Sequence, residues 1–348
     1  MKRLKKIFVC GLLMIFSAVF STAQAYELKE ISLSEVGDVW FGNAQDDNAK
    51  TGVTVAIFPK GARVGVDISG GGPASRETPV LSPITAPTSV NAIVFAGGSA
   101  YGLAASDGVM NWLEEHKIGY DTGAALVPIV VQSDIYDLSY GSAKIRPDAK
   151  MGYAACETAK SGGELKSGSF GAGTGATVGK FCGMARSMKS GLGVYAVQVG
   201  ELKIVAIVVV NALGDIYDER TGKKIAGLLT ADRKNFSDSC AELYNLTKQT
   251  DLFSRENTTI GMIITNGKFD KTQLTKIAEM TNNAFARSIK PVGTLADGDT
   301  IYAASVGEIS ADLNMVGTLC AEVMSEAIRR AVQNSKMDDA GFLKNIYH

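Results

Sequence analysis

GVYAVQVGELKIVAIVVVN, residues 193–211, holds two β-rich segments, 193–199 and 202–210, separated only by Gly200-Glu201. Two residues suffice to reverse the chain into an antiparallel hairpin and are far too few for a parallel crossover. A hairpin of buried strands argues against a purely parallel, doubly wound sheet. Downstream, the polar run DLFSREN (251–257) leads into TTIGMIIT (258–265), a β-rich strand that stops at the Asn266-Gly267 turn. Residues 271–289 read as an amphipathic helix and 300–305 as a short strand. Residues 312–334 repeat apolar side chains at Leu313, Val316, Leu319, Val323, Ala327 and Ala331, which predicts a long packed helix. Upstream, 51–58 and 63–68 are β-rich, and 91–96 reads as a buried strand. Leu103, Val109, Met110 and Leu113 give 99–117 a helical period, and 148–160, after Pro147, reads as another helix. Strands and helices alternate without repeats or a Pro- or Ser-rich boundary, so one mixed α/β domain is expected.

Composition narrows the function. The chain has 348 residues, 46% hydrophobic and 20% charged, enough to bury a core. Lys and Arg number 35 against 36 Asp and Glu, which removes the basic footprint of a nucleic-acid binder. Lys2, Arg3, Lys5 and Lys6, the apolar run 7–20 and Ala23-Gln24-Ala25 have the form of a cleaved export signal, too short to span a bilayer comfortably. Its removal at residue 25 leaves 31 positive against 36 negative residues, a net charge of −5, and no later run looks transmembrane. The mature protein is therefore expected in the periplasm or secreted, with no membrane association. Cys156, Cys182, Cys240 and Cys320 remain. They contain no CxxC pair, and four buried thiols are expected, although an oxidising compartment permits up to two disulfides.

With only His116 and His348 in the chain, a histidine metal site or a Ser-His-Asp triad is disfavoured. The general base must then come from carboxylates, lysines or a terminal amine. Three local features offer such groups. The run GSFGAGTGATVGK (168–180) fails the P-loop spacing, because Thr174 stands at the first glycine and Phe181 follows the lysine. It fits a dinucleotide pattern in one frame, yet no strand precedes it. What remains is a sharply bending backbone that delivers Lys180, which spacing alone would leave as a solvated loop lysine. Asp297-Gly298-Asp299 sets two carboxylates on one side of an extended segment, where they would hold a cation; read alone, it is an ordinary turn. Asn257-Thr258 puts a hydroxyl where a polar loop meets a buried strand, a common place for threonine. If the peptide bond before it were cut, Thr258 would own both a nucleophilic hydroxyl and an α-amine with an ordinary pKa of about 8. That scheme needs no histidine.

Six segments in order, SGGGPASRET (69–78), FAGGSAYGLAASDGVMNWLEE (95–115), GSFGAGTGATVGK (168–180), VVVNALGDIYD (208–218), NTTIGMIITN (257–266) and LADGDTIYAAS (295–305), resemble the P1 family of N-terminal nucleophile peptidases. The family includes L-aminopeptidase/D-esterases, β-peptidyl aminopeptidases and 6-aminohexanoate-oligomer hydrolases. The resemblance implies a four-layer αββα sandwich with mixed sheets, usually assembled into homo-oligomers. It implies a precursor that cuts itself between Asn257 and Thr258 into an α chain, 26–257, and a β chain, 258–348. By matching position, Thr258 is the nucleophile, Lys180 the active-site lysine and Asn211 the amide that stabilises the oxyanion. Asp297 and Asp299 match the pair that orients nucleophile and amine, and Tyr136 a tyrosine lining the substrate cleft. No cofactor or metal is implied; the substrate is a short peptide or another small amide. Asn257-Thr258 and the Asp297/Asp299 pair are more similar to the 6-aminohexanoate-oligomer hydrolases than to the aminopeptidases, which typically carry Gly-Ser and a Ser/Glu pair. Two other readings fit the same residues. One is an acyltransferase resembling ornithine acetyltransferase, and the other is an exported binding protein that is never processed.

Overall fold

The computed structural model describes residues 28–86, 89–245 and 257–346. The expected leader, residues 251–256 of the polar loop and His348 lie outside the described residues. The principal strands are β1 (Trp40–Asp46), β2 (Thr51–Ile68), β3 (Val90–Ala96), β4 (Val130–Asp134), β5 (Leu192–Val199), β6 (Leu202–Asn211), β7 (Thr258–Gly267) and β8 (Thr300–Ile309). The principal helices are α1 (Ala105–Glu115), α2 (Ala149–Lys160), α3 (Lys271–Thr281), α4 (Asn283–Ser288) and α5 (Leu313–Gln333).

β2 organises the molecule. Its first half pairs with β1 and β3, and its second half pairs with β8, for instance Arg63 with Ser305. Around these halves lie two sheets. One runs β5-β6-β7-β8-β2; the other runs β1-β2-β3-β4, with Ala74–Arg76 along the free edge of β4. β7 and β8 are parallel, as are β3 and β4, while the other neighbours are antiparallel, so both sheets are mixed.

Period-2 alternation sends successive side chains to opposite faces, and here both faces are apolar. Along β6, Ile204, Ala206, Val208 and Val210 pack with Leu274, Ile277, Phe285, Met324 and Ile328 of α3 to α5. The alternate residues Val205, Ile207 and Val209 join Ile260, Met262 and Ile264 of β7 against Phe41, Ile93, Phe95 and Val131 of the other sheet. Beyond that sheet, Val53, Val55, Ala92 and Val94 meet Val109, Trp112, Leu113, Ala155 and Cys156 of α1 and α2. Three apolar interfaces thus separate helix, sheet, sheet and helix, the expected four-layer αββα order.

The hairpin forms as read, with Val199 opposite Leu202 and Gly200 in the left-handed region at φ 56°. The long C-terminal helix also forms, with Asp312 capping the Met315 N–H. Elsewhere the boundaries differ. The segments 51–58 and 63–68 are one 18-residue strand, because an irregularity in the β3 pairing between Ile57 and Ala62 absorbs Pro59-Lys60-Gly61 without ending it. The single helix expected over 99–117 begins as a 3-10 turn, Ser99–Ala104, and becomes α-helical only at Ala105. The helix expected over 271–289 breaks at Asn282. Thr281 Oγ1 bonds back to Ile277 O at 2.8 Å, the kind of side-chain competition that bends a helix. The strand expected at 300–305 continues to Ile309. β1 and β4 escape a reading by alternation, since Gly42, Asn43 and Gln45 interrupt one and Gln132, Ser133 and Asp134 fill most of the other.

Among the described residues no disulfide joins the cysteines. Cys156 and Cys320 are buried, but Cys182 and Cys240 are only partly covered, so the expectation of four buried thiols holds for two.

Candidate active site

Thr258 opens β7 directly opposite Asn211, the last residue of β6. β8 runs parallel on the other side of β7, so the Asp297-Gly298-Asp299 segment that feeds it reaches the same end, and a single bridge joins Asn257 to Asp297. Lys180 arrives from the glycine-rich loop, where Gly179 N–H and Lys180 N–H donate to Gly214 O and Leu213 O. At Gly179, φ is 71° and a Cβ would stand 2.0 Å from Leu228 N, which explains the glycine beside the lysine. The structure therefore brings Thr258, Lys180, Asn211, Asp297 and Asp299 to one buried end of a sheet. Lys180 is only 7% exposed and is no solvated loop lysine.

The hydrogen bonds are specific. Thr258 Oγ1 donates to the carbonyl oxygen of Asn257 at 2.5 Å, and the Gly298 N–H donates to that same oxygen at 2.8 Å. Lys180 Nζ donates to Asn211 O at 2.9 Å. The Asn211 amide donates to the backbone carbonyl of Tyr136 at 2.9 Å and accepts the Thr177 N–H at 3.0 Å. Tyr136 itself is partly exposed. Asp297 accepts the Thr294 N–H and hydroxyl at 2.9 and 2.6 Å; Asp299 accepts the Thr259 and Gly293 N–H groups at 2.7 and 3.1 Å.

The glycines of SGGG (69–72) support this segment. Ser69 and Gly70 N–H groups donate to Asp299 O, and Gly72 N–H donates to Asp297 O at 2.9 Å. A Cβ on Gly70 would lie 2.3 Å from both Asp297 O and Asp299 N, so only glycine admits this approach.

Burial dominates the electrostatics. It pushes Lys180 down to about 7, against the opposing pull of Asp297, Asp137 and Asp299. It raises Asp299 to about 8, with the Asp297 charge adding to the effect, and it raises Asp297 as well. A lysine that can lose a proton and a carboxyl that can keep one near neutrality, beside a hydroxyl, suit proton transfer coupled to acyl transfer.

Two groups that the sequence did not single out complete the surroundings. Asp137 is buried, accepts from Thr51 Oγ1 and the Gly98 N–H, and is raised to about 6 by burial; the Lys180 charge pulls it back. Lys189 is buried too, and its ammonium donates to the carbonyls of Gly173, Ala176 and Ser190, pinning the loop that carries Lys180. Neither belongs to a local pattern, since their partners lie on other strands and loops. Among the described residues, no three His, Cys, Asp or Glu side chains are placed to hold a metal ion. His116 instead stacks on Trp112 at the end of α1.

Solved structures with this layering define the class. The L-aminopeptidase D-Ala-esterase/amidase of Ochrobactrum anthropi, described as a variant of the Ntn hydrolase fold, superposes with a TM-score of 0.62 over 92% of this chain and 98% of its own, at 15% identity. A Burkholderia sp. β-aminopeptidase superposes with a TM-score of 0.61 over 91% and 93%, at 16% identity. The fold is thus that of an Ntn hydrolase. Residues 32–340 match the model of peptidase family S58, and the chain belongs to that family. It is 38% identical to an uncharacterized aminopeptidase of Mycobacterium leprae over 75% of this chain and 72% of the relative. It is 32% identical to the 6-aminohexanoate-oligomer endohydrolase of Kocuria sp. over 84% and 83%. The resemblance to aminopeptidases and oligomer hydrolases is borne out, and the chain is an enzyme that hydrolyses amide bonds.

Proposed function

We propose that the chain is an exported precursor that loses residues 1–25, cuts itself between Asn257 and Thr258, and then uses Thr258 as an N-terminal nucleophile. The observation that carries this reading is the Thr258 hydroxyl 2.5 Å from the Asn257 carbonyl oxygen, at the buried point where Lys180, Asn211, Asp297 and Asp299 converge. In the first stage Thr258 Oγ bonds to the Asn257 carbonyl carbon, the C–N bond breaks, and the hydroxyl proton passes to the departing amine. Water then opens the ester, leaving an Asn257 carboxylate and a free Thr258 amine. In the second stage the same hydroxyl attacks a substrate amide. Its own amine or neutral Lys180 takes the proton, and Asn211 supports the oxyanion with the second hydrogen of its amide; the substrate C–N bond then breaks, the leaving amine carries off that proton, and water hydrolyses the acyl-enzyme to free the Thr258 hydroxyl. Asp297 and Asp299 orient the new ammonium group, and Tyr136 lines the substrate cleft.

The substrates are short peptides, amino-acid amides or ω-amino-acid oligomers, the class bracketed by the names of the relatives. The processed chains, 26–257 and 258–348, stay together and assemble into homo-oligomers in the periplasm or outside the cell. N-terminal sequencing of the bands on a denaturing gel tests the scheme. Two bands are expected, one beginning Thr-Thr-Ile-Gly-Met, with Thr258→Ala giving a single inactive band. An alanine variant that is split or active refutes it.

A further inference from the structure

We infer that the main-chain N–H of Gly298 is the oxyanion donor for self-cleavage, a role separate from that of Asn211. The inference rests on the self-cleavage proposed above and names the group that makes it fast. In the uncut chain the Gly298 N–H points at the Asn257 carbonyl oxygen from 2.8 Å, within the range at which a preorganised donor stabilises a developing oxyanion. The Asn211 amide is meanwhile directed to Tyr136 O and the Thr177 N–H, and the Lys180 ammonium to Asn211 O.

The donor is held rigidly from both sides. Gly72 and Ser69 N–H groups grip the carbonyls of Asp297 and Asp299, the Thr294 hydroxyl and N–H grip the Asp297 carboxylate, and Asn257 N–H donates to Ala296 O at 3.0 Å. The Gly298 donor itself need not move as charge develops, while the Thr258 hydroxyl turns from the oxygen to the carbonyl carbon. Glycine is required because a Cβ at 298 would lie 2.8 Å from both Thr258 Oγ1 and Gly72 O, displacing either the nucleophile or the loop. As the Thr258 Oγ–C bond forms, the carbonyl π pair moves onto the Asn257 oxygen, where the Gly298 N–H meets it. Collapse expels the Thr258 nitrogen as an amine carrying the hydroxyl proton.

The test replaces the amide by an ester. Precursor made by cell-free synthesis carries glycolic acid in place of glycine at position 298, which deletes the N–H and keeps the chain's shape. A second precursor carries glycolic acid at position 70, where the lost bond is the one from Gly70 N–H to Asp299 O, on the same segment but away from the reacting carbonyl. Conversion of labelled precursor into two bands is timed for each. The ester at 298 is expected to slow splitting by about 10²- to 10³-fold, as loss of an oxyanion donor does, and the ester at 70 by less than about tenfold. Native speed at 298, or equal slowing at both positions, overturns the inference, because the bond then only braces the loop. Thr258→Ala precursor run alongside separates the two levels. If it splits, the nucleophile assignment itself falls; if it stays whole while the ester at 298 splits at native speed, only the role of Gly298 falls.

Discussion

Replacing Lys180 by methionine should stabilise the folded precursor at acid pH while destroying its chemistry. Burial lowers the lysine from an ordinary 10.5 to about 7. At about 1.4 kcal/mol per factor of ten in proton affinity, the folded chain bears about 5 kcal/mol for holding the ammonium charged. Below about pH 7 the group is charged in folded and unfolded chains alike, and that cost is fully present. Between about 7 and 10.5 the unfolded chain keeps a proton that the folded chain has lost, so the lysine chain gains stability as pH rises. Methionine removes the cost but also the charge-assisted bond to Asn211 O, about 2 kcal/mol. Lys180→Met should therefore be more stable by about 3 kcal/mol at pH 5.5. Near pH 9 the residual cost is about 2 kcal/mol, but the folded lysine is then neutral and its bond to Asn211 O is an ordinary one of about 1 kcal/mol, so the advantage of methionine should shrink to about 1 kcal/mol. Equilibrium urea unfolding followed by tryptophan fluorescence measures the difference, with both chains carrying Thr258→Ala so that neither is split. A difference that stays flat from pH 5.5 to 9, or a methionine chain that is the weaker at pH 5.5, would refute the reasoning.

Asp297→Asn removes the strongest charge holding protons on Lys180, so the rising limb of the pH–rate profile for amide hydrolysis should move to lower pH; a limb that stays put or moves up excludes Lys180 as the titrating group. Gly70→Ala forces a methyl onto Asp297 O and Asp299 N and should cost about 1–3 kcal/mol in urea unfolding along with slower splitting. Ile207→Ala, in the fully buried seam between the sheets, should cost about 2–5 kcal/mol. Thiol titration of the native protein should reach Cys182 and Cys240 before Cys156 and Cys320, whose thiols burial pushes far up, and all four on unfolding. Fewer than four thiols after unfolding without reductant would reveal a disulfide.

Local patterns carried much of the architecture. Residues 193–211 could only form a hairpin, and α5 follows from its apolar spacing with Asp312 before it, because such periodicity reports directly which faces are buried. Where polar side chains serve the interior, the pattern is lost. Gln132, Ser133 and Asp134 of β4 bond to one another or to distant groups such as Tyr302, and no alternation marks that strand. The continuity of β2 through Pro59-Lys60-Gly61 was equally hidden, since it depends on partners more than two hundred residues away.

The site divides in the same way. The scarcity of histidine and the six ordered motifs singled out Thr258, Lys180, Asn211, Asp297 and Asp299, though each alone had an ordinary explanation. Their convergence is a property of strand pairing, of β6 beside β7 and β7 beside β8, which no local spacing encodes. The near-neutral proton affinities of Lys180 and Asp299 come from desolvation by the whole fold. So local pattern marks most of the elements, though not β1 or β4, and points to the side chains that can react. Which carbonyl faces which donor depends on the packed fold, because burial and hydrogen-bond direction arise when distant segments come together.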